Sequence, residues 1–234
     1  MSYPVFALIS VVIFSLVHLF AEKTRQLDTV VHGKFLSIGG GVAIAYVFID
    51  LLPKLSKSDQ VVTEALYGIF PYFERHAYIM ALAGFLLFFV VARSHTFLRG
   101  EGRFWLSLGS YALFNFLIGY AVVDKDNPEV RPLALFTFAM ALHYFATDYS
   151  LTKEHGDIYS RFGRWVLIVC LYLGWITGLF FQVPKAAVAM ISAFIGGGVI
   201  MNVIRYELPE ASSQSTTAFL LGSFFYTLIL LMVY

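Results

Sequence analysis

Eight stretches of this chain, near residues 4–20, 34–53, 76–93, 104–123, 133–151, 163–182, 185–205 and 217–234, are each long and apolar enough to cross a bilayer as a helix. Nothing else in the sequence narrows the fold as sharply, because segments of this length and apolarity fit hydrocarbon only as helices. The expectation is an all-α integral membrane protein with eight transmembrane helices in one domain covering residues 1–234. The fifth and seventh stretches are interrupted by polar residues, and Gln182-Val183-Pro184-Lys185 leaves room only for a tight hairpin. Composition agrees: 59% of the 234 residues are hydrophobic and 13% are charged, far from the balance of a soluble domain.

Charge places and excludes. A formal net charge of +1 and the lack of an Arg/Lys stripe give no surface for nucleic acid. The one cysteine, Cys170, excludes an internal disulfide or a Cys-based zinc cluster, and its apolar setting reads as a buried small hydrophobe. No basic residue precedes the first stretch and no small-residue cleavage site follows it, so it reads as a retained span. Lys23, Arg25, Lys34, Arg93, Arg99, Arg103, Lys153, Arg161 and Arg164 fall in alternate loops on one side. Lys54, Lys57, Arg75, Lys125, Arg131 and Lys185 fall on the other. The positive-inside tendency makes the richer side cytoplasmic and both termini extracytoplasmic, and the lack of targeting signals fits a bacterial inner membrane.

The chain also resembles itself. "IGGGVAIAYVFIDLLPK" from Ile38 is similar to "IGGGVIMNVIRYELPE" from Ile195, which aligns Gly39-Gly40-Gly41-Val42 with Gly196-Gly197-Gly198-Val199 and Asp50 with Glu207. The copies lie in the second and seventh stretches, an odd number of crossings apart, so they run in opposite directions. An inverted repeat of this kind is a device of transporters. Glycine triplets also let helices pack closely, Asp50 and Glu207 sit where a helix end reaches water, and a proline after each acid stops the helix.

These residues carry a resemblance. "GGGVAIAYVFIDLLPK", "ALAGFLLFFVVARSH" from Ala81 and "GGGVIMNVIRYELPE" are similar to the second, third and seventh helices of the ZIP zinc and iron permeases. That family implies eight helices arranged as three, two and three, which here would be residues 1–93, a central pair over 104–151, and 163–234. It also implies metal ligands on helices four and five, in HNxxDG-like and HExPHE-like motifs. The nearest stretches are "FNFLIG", Phe114 to Gly119, and "HYFATD", His143 to Asp148. Asn115, Gly119, His143 and Asp148 match. Phe114 and Ile118 stand where a His and an acid are expected, and Tyr144, Ala146 and Thr147 replace Glu, Pro and His. The paired-metal site of the family is therefore not intact.

What remains is Asn115, His143 and Asp148, with help from Thr147 or Tyr144, as ligands for a divalent metal carried as substrate. Geometry resists a single chelate, since residues five apart on a straight helix point roughly 140° apart. Tyr144 has the alternative of capping the Asp148 carboxylate, and Thr147 that of bonding back to the His143 carbonyl. A core histidine is the plain alternative for His143. His18, near the end of the first stretch, is placed at the interface, Arg205 with Glu207 reads as an interfacial ion pair, and Glu154-His155 is a weaker metal-gathering pair.

The leading functional expectation is a permease for zinc, iron or manganese with a degenerate site. Set beside it are a carrier of another small solute, a non-transporting relative that binds a partner or lipid, and a membrane-embedded metal hydrolase, for which only Ser15 and His18 offer a Ser/His neighbourhood. No enzyme activity and no resident cofactor are expected. Expected partners are membrane lipid, a small solute or metal ion, and a second copy of the chain in a homodimer.

Overall fold

A computed structural model describes residues 2–20, 29–66, 75–123, 128–207 and 215–233. Among them the chain is helical throughout: α1 Tyr3–Phe20, α2 Thr29–Tyr46, α3 Leu52–Leu66, α4 His76–Arg93, α5 Glu101–Ala121, α6 Val130–His155, α7 Arg164–Phe180, α8 Lys185–Asn202 and α9 Thr216–Val233. Among the described residues, seven helical stretches are long and apolar enough to cross a membrane. The expected fifth span is the exception. It is the 26-residue α6, which carries Arg131, His143, Asp148, Lys153 and Glu154 and falls short on apolarity. The architecture is that of an all-α multi-pass membrane protein.

The outer surface fits lipid. Val5, Leu8, Val12 and Leu16 form an exposed stripe on α1, while Ala7, Val11, Phe14 and His18 on its other face are buried. Trp165, Val169, Leu173 and Ile176 make a similar exposed stripe on α7, and Leu221, Phe224, Phe225 and Leu228 one on α9. In water such stripes would promote association; in hydrocarbon they need no cover.

Inside, helices pack in pairs: α2 on α9, α4 on α8, α5 on α7 and α1 on α6, with α2 also meeting α6 and α8 meeting α5. Three pairs are set by glycine, where backbones approach too closely for any Cβ; in α5 on α7 the contacts are Gly119 against Leu171 and Gly174 against Phe116. A Cβ on Gly197 would overlap the Ala81 carbonyl of α4, and one on Gly41 the Phe219 carbonyl of α9. The reciprocal contacts are Gly84 against Phe194 and Gly222 against Ile38. The glycine triplets are thus consumed by packing within the chain.

The helix does not stop at Pro53. Its ring lacks an N–H and crowds the preceding turn, and the backbone accommodates this by widening into a π turn, Val47–Leu51, in which the Leu52 N–H reaches the Val47 carbonyl. Helix α3 then continues to Leu66. A second π turn, Val203–Glu207, follows α8 at the matching place. The corresponding proline, Pro209, and the Glu207 side chain lie outside the described residues. Asp50 is not water-facing as expected: it is buried on the π turn with Lys54 at 2.9 Å, and it is the lysine that reaches the surface. Cys170 is half-buried on α7 rather than buried.

Candidate functional site

Four elements converge on Asp148. On the buried face of α1, His18 continues the Ala7, Val11, Phe14 row and presents its ring to α6, where Nδ1 lies 2.7 Å from Asp148 Oδ2. Its other nitrogen, Nε2, is 2.9 Å from Oδ1 of Asn115 on α5. The Asn115 Nδ2 donates to the Tyr111 carbonyl at 2.9 Å, one turn earlier, which turns Oδ1 toward His18 as an acceptor. Below, Gly156 with φ +58 ends α6, a conformation cheap only for glycine. The π turn Tyr159–Gly163 that follows aims the Tyr159 hydroxyl at Asp148 Oδ1, to which it donates. Tyr111 extends the network by donating to Asn202 Oδ1 on α8 at 2.9 Å.

Every member is buried: His18, Asn115, Asp148, Tyr111, Tyr159 and Asn202 are 3% exposed or less. An ionisable pair so enclosed is costly unless the partners satisfy one another, and here both ring nitrogens and both carboxylate oxygens have partners. Aromatic rings wall off one side. Phe14 packs edge-on to Tyr144 at 5.2 Å and to Phe136 at 6.4 Å, and the Tyr144 ring lies 4.7 Å from that of His18.

The residues expected at the site divide. Asn115 and Asp148 are brought together, through His18 between them. His143 is buried elsewhere on α6, its ring against Phe114 at 6.2 Å. Thr147 is buried, but its hydroxyl does not return to the His143 carbonyl and has no hydrogen-bond partner among the described residues. The same holds for the Tyr144 hydroxyl, so the capping of Asp148 falls to Tyr159. Phe114 and Ile118 are fully buried core side chains. Ser15 bonds back to the Val11 carbonyl at 2.8 Å and is not paired with His18. Among the described residues no group of three or more His, Cys, Asp and Glu side chains is placed to hold a metal ion.

Sequence reasoning placed His18 at an interface and passed over Tyr159. Neither leaves a signal in the sequence: the Ala7, Val11, Phe14 row that His18 continues is no more apolar than the opposite face of α1, and Tyr159 sits on a π turn.

Two further features flank the network at opposite ends of α5, α6 and α8. At one end Glu154 is clasped by Arg103 of α5 at 3.1 Å and by Arg205 of the second π turn at 2.7 Å. The expected Glu154-His155 metal pair is thus committed to arginine on its acidic side, and Arg205 pairs with Glu154. At the other end a cavity of about 460 Å³ opens between the starts of α1, α6 and α8 and the Leu51 to Val61 stretch. Phe136 and Tyr46 line it, and Phe136 stands next to Phe14 in the aromatic wall.

No known family model matches the chain, and no curated protein matches it either.

Proposed function

We propose that the chain is a multi-pass permease in which two oppositely oriented three-crossing units embrace α5 and α6, with His18, Asp148, Asn115 and Tyr159 as the polar cell on the solute path. The carrying observation is the buried His18–Asp148 pair at 2.7 Å, between a cavity open at one end of the bundle and a closed Arg103–Glu154–Arg205 clasp at the other. A carrier that exposes its site to one side at a time needs that asymmetry.

The packing pattern supports the inverted repeat. Exchanging α1, α2 and α4 with α7, α8 and α9, and α5 with α6, turns the α2·α9 contact into α8·α4, α5·α7 into α6·α1, and α2·α6 into α8·α5; all are present. The π turns at Val47–Leu51 and Val203–Glu207 fit the same exchange. Its register pairs Gly41 with Gly197, one residue off the alignment of the glycine triplets, and it also pairs Pro53 with Pro209. In this reading α6 is the eighth crossing, tolerated despite its polarity because His143 and Asp148 in its body are buried in protein while Arg131, Lys153 and Glu154 sit near its two ends. The clasp end is cytoplasmic, the cavity and both termini face outward, and a bacterial inner membrane is the host.

A divalent metal as substrate would meet one imidazole, one carboxylate and one amide oxygen, and the hydrogen shared by His18 and Asp148 would have to leave. A smaller demand is made by a less charged solute. The burial of Phe114 and Ile118 in the core favours a second reading, a relative of the permeases that no longer transports. Reconstitution into proteoliposomes separates these. Uptake of zinc, iron, manganese or a panel of small solutes above empty vesicles, lost in Asp148→Asn, is the expected result. Wild-type uptake equal to empty vesicles for the whole panel overturns the permease reading.

A further inference from the structure

The cavity and the polar cell are neighbours that a short line of rings keeps apart. Phe136 of α6 lines the cavity, and Phe14 of α1 meets it edge-on at 6.4 Å. Phe14 also meets Tyr144 edge-on at 5.2 Å, and the Tyr144 ring lies 4.7 Å from that of His18. One fully buried side chain thus touches both the lining of the open space and the ring that covers the ion pair. His18 stands one turn beyond Phe14 on α1, about 6 Å along the helix axis. Phe14 is held in the wall by edge contacts of individually modest strength, with no charge or hydrogen bond of its own. Behind it the Tyr144 and Thr147 hydroxyls, 2% and 4% exposed as residues, have no hydrogen-bond partner among the described residues. Buried polar groups left in this state are satisfied when water or a ligand reaches them. An opening at Phe14 therefore leads to groups that would wet it, unlike the dry void an apolar lining would leave.

We propose that Phe14 is the gate between the cavity and the His18–Asp148 cell. With its ring between Phe136 and Tyr144 the two spaces are separate, and a change of its side-chain rotamer joins them into one hydrated passage. The inference rests on the permease reading, in which the cavity is the outward vestibule and Phe14 decides when the polar cell is open to it. The two ends of the path are then closed by different means. A single apolar ring closes the cavity side, and the Arg103–Glu154–Arg205 ion clasp closes the other.

The test is the rate at which a charged methanethiosulfonate labels a thiol placed behind the ring, in the full chain in nanodiscs. Cys170→Ser removes the native thiol, and Thr147→Cys supplies a reporter of nearly the same size three residues beyond Tyr144. Labelling of this background should be slow. Phe14→Ala should speed it about tenfold or more, because a buried thiol reacts only through openings whose population the ring sets. Phe136→Ala, which removes the other half of the stopper, should also speed it and serves if Phe14→Ala does not fold. Adding Ala189→Phe, which obstructs the cavity from α8, should cancel the gain. Leu171→Ala, an equally buried position on α7 against Gly119, loosens the core elsewhere and should not reproduce it. A gain no larger than that of Leu171→Ala, or one that survives Ala189→Phe, overturns the proposal. A gain in a chain that carries no solute in proteoliposomes leaves the opening at Phe14 standing and removes the permease; solute flux without a gain keeps the permease and removes Phe14 as its gate.

Discussion

Removing both members of the His18–Asp148 pair should cost far less than the sum of the two single removals. In His18→Leu the Asp148 carboxylate keeps only the Tyr159 hydroxyl, and Asn115 Oδ1 loses its donor. Leaving a buried charge without its partner costs about 3–5 kcal/mol. Asp148→Leu strands the His18 ring and the Tyr159 hydroxyl by the same reasoning, again about 3–5 kcal/mol. In the double variant no ion remains, and the deficit reduces to the unsatisfied Asn115 and Tyr159 groups, about 1–3 kcal/mol each. The two single losses therefore should not add, and the coupling should amount to a few kcal/mol, at the top of the range for directly contacting residues. Unfolding in mixed micelles, followed by helical circular dichroism on the wild type, both single variants and the double, measures it. Additivity within about 0.5 kcal/mol would refute the claim that these side chains satisfy each other.

Other outcomes follow from contacts made or not made. Tyr159→Phe removes the hydroxyl that donates to Asp148 and should destabilise by about 1.5–3 kcal/mol, whereas Tyr144→Phe, whose hydroxyl has no partner among the described residues, should be close to neutral in the same unfolding assay. Gly197→Ala drives a Cβ into the Ala81 carbonyl and should cost about 1–3 kcal/mol by parting α4 from α8. Gly109→Ala, with nothing within 4 Å of the added carbon on a helical backbone, should instead stabilise by about 0.5–1 kcal/mol. Glu154→Gln releases Arg103 and Arg205 from a partly exposed clasp; melting should fall slightly, by an amount equivalent to about 1 kcal/mol or less, and the difference from wild type should shrink at high salt. A difference that grows with salt would remove the electrostatic account of the clasp.

Sequence alone determined the helical, membrane-embedded character of the chain, its approximate spans and the glycine-rich faces, because hydrocarbon thickness and backbone hydrogen bonding leave an apolar run of that length one solution. The family resemblance also pointed to Asn115, His143, Thr147 and Asp148, of which Asn115 and Asp148 are the two that hydrogen-bond His18. Which face of each helix turns inward was decided only by packing. On α1 the Val5, Leu8, Val12, Leu16 row is as apolar as the Ala7, Val11, Phe14 row, so no amphipathic signal told that His18 faces the core; lipid removes the contrast between inside and outside that a soluble helix displays. Tyr159 and the continuation past Pro53 depend on π turns, which arise where a helix meets a local steric or hydrogen-bonding mismatch and leave no period in the sequence to read. The meeting of α1, α5, α6 and the Tyr159 turn around one carboxylate is therefore a property of the assembled bundle, fixed where glycines let backbones touch and the buried charge could find its partners.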